Sequence, residues 1–131
     1  MHFFVVSDLA FLYNEPMKTI ARHFRRSVPS LSRERFIAFA IDASGSVVGS
    51  EVLGVGSEDA VEIDTDAAES FASKYYSRRV VFAHNHPSDS LAFSEADVLL
   101  CARLRTTCKN MVDFLIVTRT EHFSFADDGR V

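Results

Sequence analysis

The apolar run Val80-Val81-Phe82-Ala83 ends in His84-Asn85-His86-Pro87, with Ser94 and Asp97 following, and no other stretch of the chain limits the fold so tightly. A short, continuous apolar run reads as a strand buried on both faces. Side chains alternate across a strand, so His84 and His86 point to the same face. Ser94 is a good N-cap for the apolar-periodic segment after it, which puts Asp97 in the first turn of a helix, where its carboxylate can turn back toward the strand end. Two imidazoles and one carboxylate leave the fourth position of a tetrahedral Zn²⁺ open to water, the arrangement of a catalytic rather than a structural zinc site. A single histidine at a strand end ordinarily packs or faces solvent, and Asp97 alone reads as a helix-dipole partner; the joint pattern makes them ligands. His2, His23 and His122 have no such company and read as surface or packing residues.

The rest of the chain supplies elements for this strand to pair with. His2 to Val6 reads as an edge strand or an arm. Asn14-Glu15-Pro16 looks like a helix start, with Met17, Ile20, Ala21 and Phe24 at helical spacing and an end near Arg26. After the breaker Ser27-Val28-Pro29-Ser30, the run Phe36 to Ile41, the turn Asp42-Ala43-Ser44-Gly45 and the segment Val47 to Val55 predict a β-hairpin. Gly54, Gly56 and an acidic run mark a loop, with a short strand at Val61 to Ile63. A helix over about residues 66–77, the strand Arg79 to His84, a helix from Ser94 to about Cys108, the strand Met111 to Val117 and a last strand His122 to Ala126 complete the pass. Strands alternating with helices after an opening hairpin predict an α/β fold: a mixed β-sheet with flanking helices in a sandwich.

Length and composition set the scale. At 131 residues with 47% apolar content and twelve Phe, residues 1–131 read as a single domain with a sizeable core. The apolar segments are strand-sized and interrupted by charge, so neither a membrane span nor a signal peptide is expected, and a cytoplasmic location is. Cys101 and Cys108 lie on one helix, roughly 10 Å apart along its axis at about 1.5 Å per residue, too far for a disulfide; they read as reduced thiols without chemistry. Basic residues gather over 18–35 and acidic ones over 51–69, which suggests a docking surface or, more plainly, a solvated helix face beside an acidic loop. With 14 basic residues against 18 acidic, a general nucleic-acid binder is not expected, because phosphate contacts dominate that kind of affinity.

The stretch His84-Asn85-His86-Pro87-Ser88, with Ser94 eight and Asp97 eleven residues after the second His, resembles the JAMM (MPN-plus) metalloprotease motif. Its wording and Ser94-Glu95-Ala96-Asp97 look most like the RadC-like branch of JAB domains, and the resemblance runs from about Arg33 to Phe125. It implies a JAB/MPN sandwich, similar to the cytidine-deaminase fold. It further implies that His84, His86 and Asp97 are zinc ligands, that Ser94 helps stabilise the oxyanion, and that a glutamate moves a proton from water to the leaving amine. For that glutamate Glu34, just before the strand at Phe36, looks like the matching position; Glu51, within the second strand of the hairpin, is the alternative.

The reaction so implied is amide hydrolysis by a zinc metalloprotease or isopeptidase, with a protein or peptide substrate that includes conjugates of ubiquitin-like proteins. Two alternatives stand beside it: a RadC-like role on DNA or in repair, resting on the basic segment 18–35, and a non-catalytic MPN-type scaffold, against which the complete ligand set counts. The sequence departs from the branch at Asp89-Ser90-Leu91-Ala92-Phe93, where a Gly and a Pro-bearing loop are usual, and at Phe114, where a His is common. The helix-hairpin-helix extension of longer RadC-like proteins has no counterpart in these 131 residues, so nucleic acid is not the partner expected of them. Substrate identity and oligomeric state are not written in the sequence.

Overall fold

The computed structural model describes residues 6–56 and 63–131, with side chains from Glu15 onward in the first stretch. Helix α1 (Val6–Ser27) leads into the hairpin β1 (Arg35–Ile41) and β2 (Val47–Val55), then α2 (Thr65–Lys74), β3 (Arg79–His84), α3 (Glu95–Thr107), β4 (Met111–Val117) and β5 (His122–Ser124). The five strands form one mixed sheet in the order β2-β1-β3-β4-β5. β3 and β4 run parallel, connected through α3, and every other neighbouring pair is antiparallel.

The two-residue period of the strands sorts their side chains onto two cores. Ile37, Phe39 and Ile41 of β1, Val81 and Ala83 of β3, and Leu115 and Val117 of β4 pack on one face with Met17, Ile20, Ala21 and Phe24 of α1. Phe36, Ala38 and Ala40, Val80 and Phe82, and Phe114 and Ile116 face the other way, against Ala68, Phe71 and Ala72 of α2 and Cys101 and Leu104 of α3. Burial on both faces explains why β1, β3 and β4 read as unbroken apolar runs. His84 shares its parity with Val80 and Phe82, so it emerges on the α2/α3 face, at the strand end where α3 begins.

Three boundaries differ from the sequence reading. Helix α1 begins by Val6 and Pro16 lies inside it; residues 1–5 fall outside the described residues, and Val6 itself is helical. An interior proline removes one backbone bond and normally breaks a helix. Here its ring packs on the β1–β2 turn, where a Cβ built on Gly45 would lie 2.9 Å from Pro16 Cγ. Helix α2 stops at Lys74 rather than near residue 77, because Asn110 Nδ2 donates to the carbonyls of Ala72, Tyr75 and Arg78 and takes up the carbonyls around the helix end. β5 is shorter than expected: Ser124 Oγ and the Ala126 amide both donate to the Asp113 carboxylate, drawing the chain out of the ladder. Of the short strand expected at Val61 to Ile63, residues 61 and 62 lie outside the described residues and Ile63 is not in a strand.

Cys101 and Cys108 are both free and buried, Cys108 capping the end of α3. Burial pushes the Cys101 thiol up to about 11, which keeps it protonated and unreactive. Among the described residues no helix is long and apolar enough to cross a membrane.

Candidate metal centre

Two turns of sequence build the site. β3 delivers His84 at its last position, and the chain leaves the sheet so that His86 follows on the same side. Ser94 then caps α3 with a full capping box: its hydroxyl accepts the Asp97 amide at 3.1 Å, while the Asp97 carboxylate accepts the Ser94 amide at 2.9 Å. That reciprocal pair fixes the rotamer of Asp97 and aims its carboxylate at the strand end. Asp97 Oδ1 lies 3.0 Å from His84 Nε2 and Oδ2 lies 3.0 Å from His86 Nε2. One carboxylate thus spans both imidazoles, each through the same ring nitrogen.

Glu34 completes the group from the other side. It stands immediately before β1, and its carboxylate and one nitrogen of each imidazole lie within 4.8 Å of one another. Asn85 holds it there. Between the two histidines and pointing the opposite way, Asn85 is buried, accepts the Arg35 amide at 2.8 Å, and donates to the carbonyls of Leu31 and Arg33 at 2.9 and 3.0 Å. Three hydrogen bonds therefore clamp the segment carrying Glu34 against the end of β3. Glu51 is exposed on β2 opposite Ala38 and does not line the cavity. His23 and His122 lie away from the site, against Phe39 and in a groove beside α1 respectively.

The electrostatics follow from this packing. Burial pushes the Glu34 carboxyl above its ordinary value, and the two histidines only partly offset that. Burial acts on Asp97 in the same direction, but the hydrogen bonds from His84 and His86 win and hold its carboxyl well below the usual range. His86 is raised, first by its hydrogen bond to Asp97, against burial. The two carboxylates on one site are thereby pushed apart: Asp97 stays ionised, and Glu34 is moved toward the range where it can exchange a proton.

Two imidazole nitrogens with carboxylate oxygens are the donor set of zinc and similar divalent ions, and the residues fit such an ion. His86 Nδ1 donates to the Ser90 carbonyl at 3.0 Å, an outer contact that leaves Nε2 as the ring nitrogen a metal ion could use. A cavity of about 550 Å³ opens beside them, walled by Phe36, Ile63 and Leu100, with Ser94 and Arg103 also in its lining.

A family model of the RadC-like JAB domain matches residues 14–130. The chain belongs to the RadC-like JAB domain family. It is also similar to the UPF0758 protein FN0909 of Fusobacterium nucleatum subsp. nucleatum, 23% identical over 116 residues that cover 86% of this chain and 50% of that protein. This chain spans about half the length of that curated relative.

Within this JAB domain, the mixed sheet and three helices are those expected from the resemblance. The residue that sequence reasoning left without a role is Asn85. Its signal was present: a polar amide inside a run destined for burial must find partners, and the loop before β1 is the nearest backbone without a ladder. Phe114 stacks on the His84 ring, with centroids 4.8 Å apart and planes at 20°. Next to these rings His84 Nδ1 is buried without a hydrogen-bond partner among the described residues. The orientation of His84 is therefore set by aromatic packing and Asp97, and that of His86 by Asp97 and the Ser90 carbonyl.

Proposed function

We propose that this chain is a zinc-dependent amide hydrolase, with His84, His86 and Asp97 as the metal ligands, Glu34 as general acid/base and Ser94 as oxyanion donor. The observation that carries the reading is the half-buried Glu34 carboxylate, raised above its ordinary value and held beside the two histidines that Asp97 joins. Zinc bound there would supply a Lewis acid and lower the pKa of water to about 7. Glu34 would take the proton released and return it to the leaving amine, for which a carboxyl raised by burial is suited. Ser94 accepts from the Asp97 amide through its oxygen, so its own O–H remains to donate to the negative charge that develops on the carbonyl oxygen.

The substrate we infer is a protein or peptide, including the tail of a ubiquitin-like protein. The apolar wall of Phe36, Ile63 and Leu100 suits an extended chain rather than a polyanion. Nucleic acid is less favoured, since part of the basic segment is already used: Arg25 donates to the Thr118 and Glu121 carbonyls, and Lys18 stands 3.7 Å from Glu15. Against a scaffold role without chemistry stand Glu34, His84, His86 and Asp97, gathered beside one cavity. Two free buried thiols agree with a reducing cytoplasm.

The test is Glu34→Gln. Zinc content should match the wild type while hydrolysis of a peptide and isopeptide substrate library, read by mass spectrometry, disappears. Equal turnover by both proteins would remove Glu34 from the chemistry.

A further inference from the structure

We propose that Asp89 is a positioning residue for His86, and that through it helix α1 braces the metal centre from the far face of the sheet. The proposal rests on the zinc reading above. Among the described residues Asp89 is the only non-glycine in the left-handed region, with φ 58°. Side chains rarely sit there, Asp and Asn being among the few that do.

The loop geometry shows what that conformation achieves. The Asp89 amide donates to the His86 carbonyl at 2.9 Å, closing a turn. The next residue, Ser90, offers its carbonyl to His86 Nδ1 at 3.0 Å. Left-handed backbone at Asp89 thus turns the chain so that Ser90 can hold the ring, and a carbonyl on Nδ1 reserves Nε2 for the metal. An ordinary φ at this position would swing the Ser90 carbonyl away.

Glycine would reach the same φ freely, so the conformation does not by itself call for aspartate. The carboxylate does something glycine cannot. Asp89 Oδ1 accepts the Arg119 amide at 3.1 Å, tying the loop to the turn between β4 and β5. That turn is in turn held from α1, where Arg25 donates through Nε to the Thr118 carbonyl at 2.8 Å and through Nη2 to the Glu121 carbonyl at 3.0 Å. A continuous set of contacts therefore leads from α1 through residues 118–121 and Asp89 to Ser90 and the His86 ring. The second histidine lies beyond the end of β3 and has no strand to hold it, so a brace of this kind replaces the sheet.

Three substitutions in the full chain separate conformation from tie: Asp89→Asn keeps both, Asp89→Gly keeps only the conformation, and Asp89→Ala keeps neither. Zinc affinity is read by chelator competition and, in metal-free protein, the His86 Hδ1 proton is followed by NMR. Asn is expected to bind zinc within about twofold of wild type and Gly about tenfold more weakly, the lower end of what losing an outer contact costs, with Ala weaker still. The Hδ1 signal should persist in wild type and Asn and broaden by solvent exchange in Gly and Ala. Arg25→Gln, which leaves the loop intact, should weaken zinc in the same direction by a smaller factor. Zinc binding by Gly equal to wild type, or an Asn variant as weak as Gly, overturns the brace. If wild type takes up no zinc, the metal reading falls, and the Hδ1 comparison still decides: a signal kept in Gly overturns the positioning role.

Discussion

Asp97 and Asp113 are both buried carboxylates, 7% and 0% exposed, yet they do opposite work. Among its contacts Asp113 accepts from Ser124 Oγ at 2.6 Å and from the amides of Phe114 and Ala126 at 2.7 and 3.0 Å. Its donors include backbone amides and a hydroxyl, and it ends β5 by drawing the chain toward itself. Asp97 also takes one amide, from Ser94, but its remaining capacity goes to two imidazoles beside a cavity. Burial of a charge is therefore not the mark of function; the kind of partner is. Two imidazoles, groups that can exchange a proton for a metal ion, lie against Asp97 beside the cavity, whereas a hydroxyl and two backbone amides are among the partners of Asp113.

That contrast breaks most sharply under substitution. Asp97→Ala should abolish zinc binding and hydrolysis, and in metal-free protein lower stability by about 1–3 kcal/mol, because the cap loses a partner and the buried His84 Nε2 is left unpaired; calorimetric zinc titration and a urea melt read the two separately. Asp113→Ala should do the reverse, lowering folding stability by roughly 2–5 kcal/mol through amides left unsatisfied, with the folded fraction still binding one zinc as tightly as wild type. Ser94→Ala touches both roles. It should reduce kcat by about 10²–10³ for one missing oxyanion donor and stability by about 1 kcal/mol for the lost cap. Asn85→Ala should keep zinc and lower kcat by a smaller factor, about tenfold, as Glu34 drifts from the site.

The pH response sharpens the same comparison, because the Asp97 side titrates with its partners. His86 is raised in the fold, first through Asp97, so in metal-free protein its contribution is fully present below the unfolded value of about 6.5 and is lost as pH rises through the folded one. Asp97 is depressed, so its contribution is present above about pH 4 and is lost as pH falls. Zinc bound at His86 would displace its proton, so loaded protein should instead gain stability as pH rises through the same window. Melting temperatures across pH, with and without a chelator, should therefore show slopes of opposite sign between pH 6 and 8. Parallel slopes would show that no ion competes for that proton.

Much of this was legible in the sequence, and the residues show why. β3 and β4 are apolar runs bounded by polar residues, and the Ser94–Asp97 capping box is a purely local signal; all three stand where spacing places them. Glu34 came only from the family resemblance, since nothing local distinguishes it from Glu51. Pro16 is a local start signal, so the sequence places the start of α1 beside it, while the packing of its ring on Gly45 is tertiary. Asn85 bonds to residues between 50 and 54 positions away, and Ser124 donates to Asp113 across 11, and no periodicity records such pairings. Asp89 lies in the segment that departs from the family pattern, but its left-handed backbone and its tie to Arg119 appear only in three dimensions.

Elemental mass spectrometry of the purified protein beside its His84→Ala/His86→Ala variant tests the centre most directly. The account predicts close to one zinc per chain in wild type and none in the variant. Wild type without zinc after incubation with the metal, or zinc retained by the variant, would contradict it.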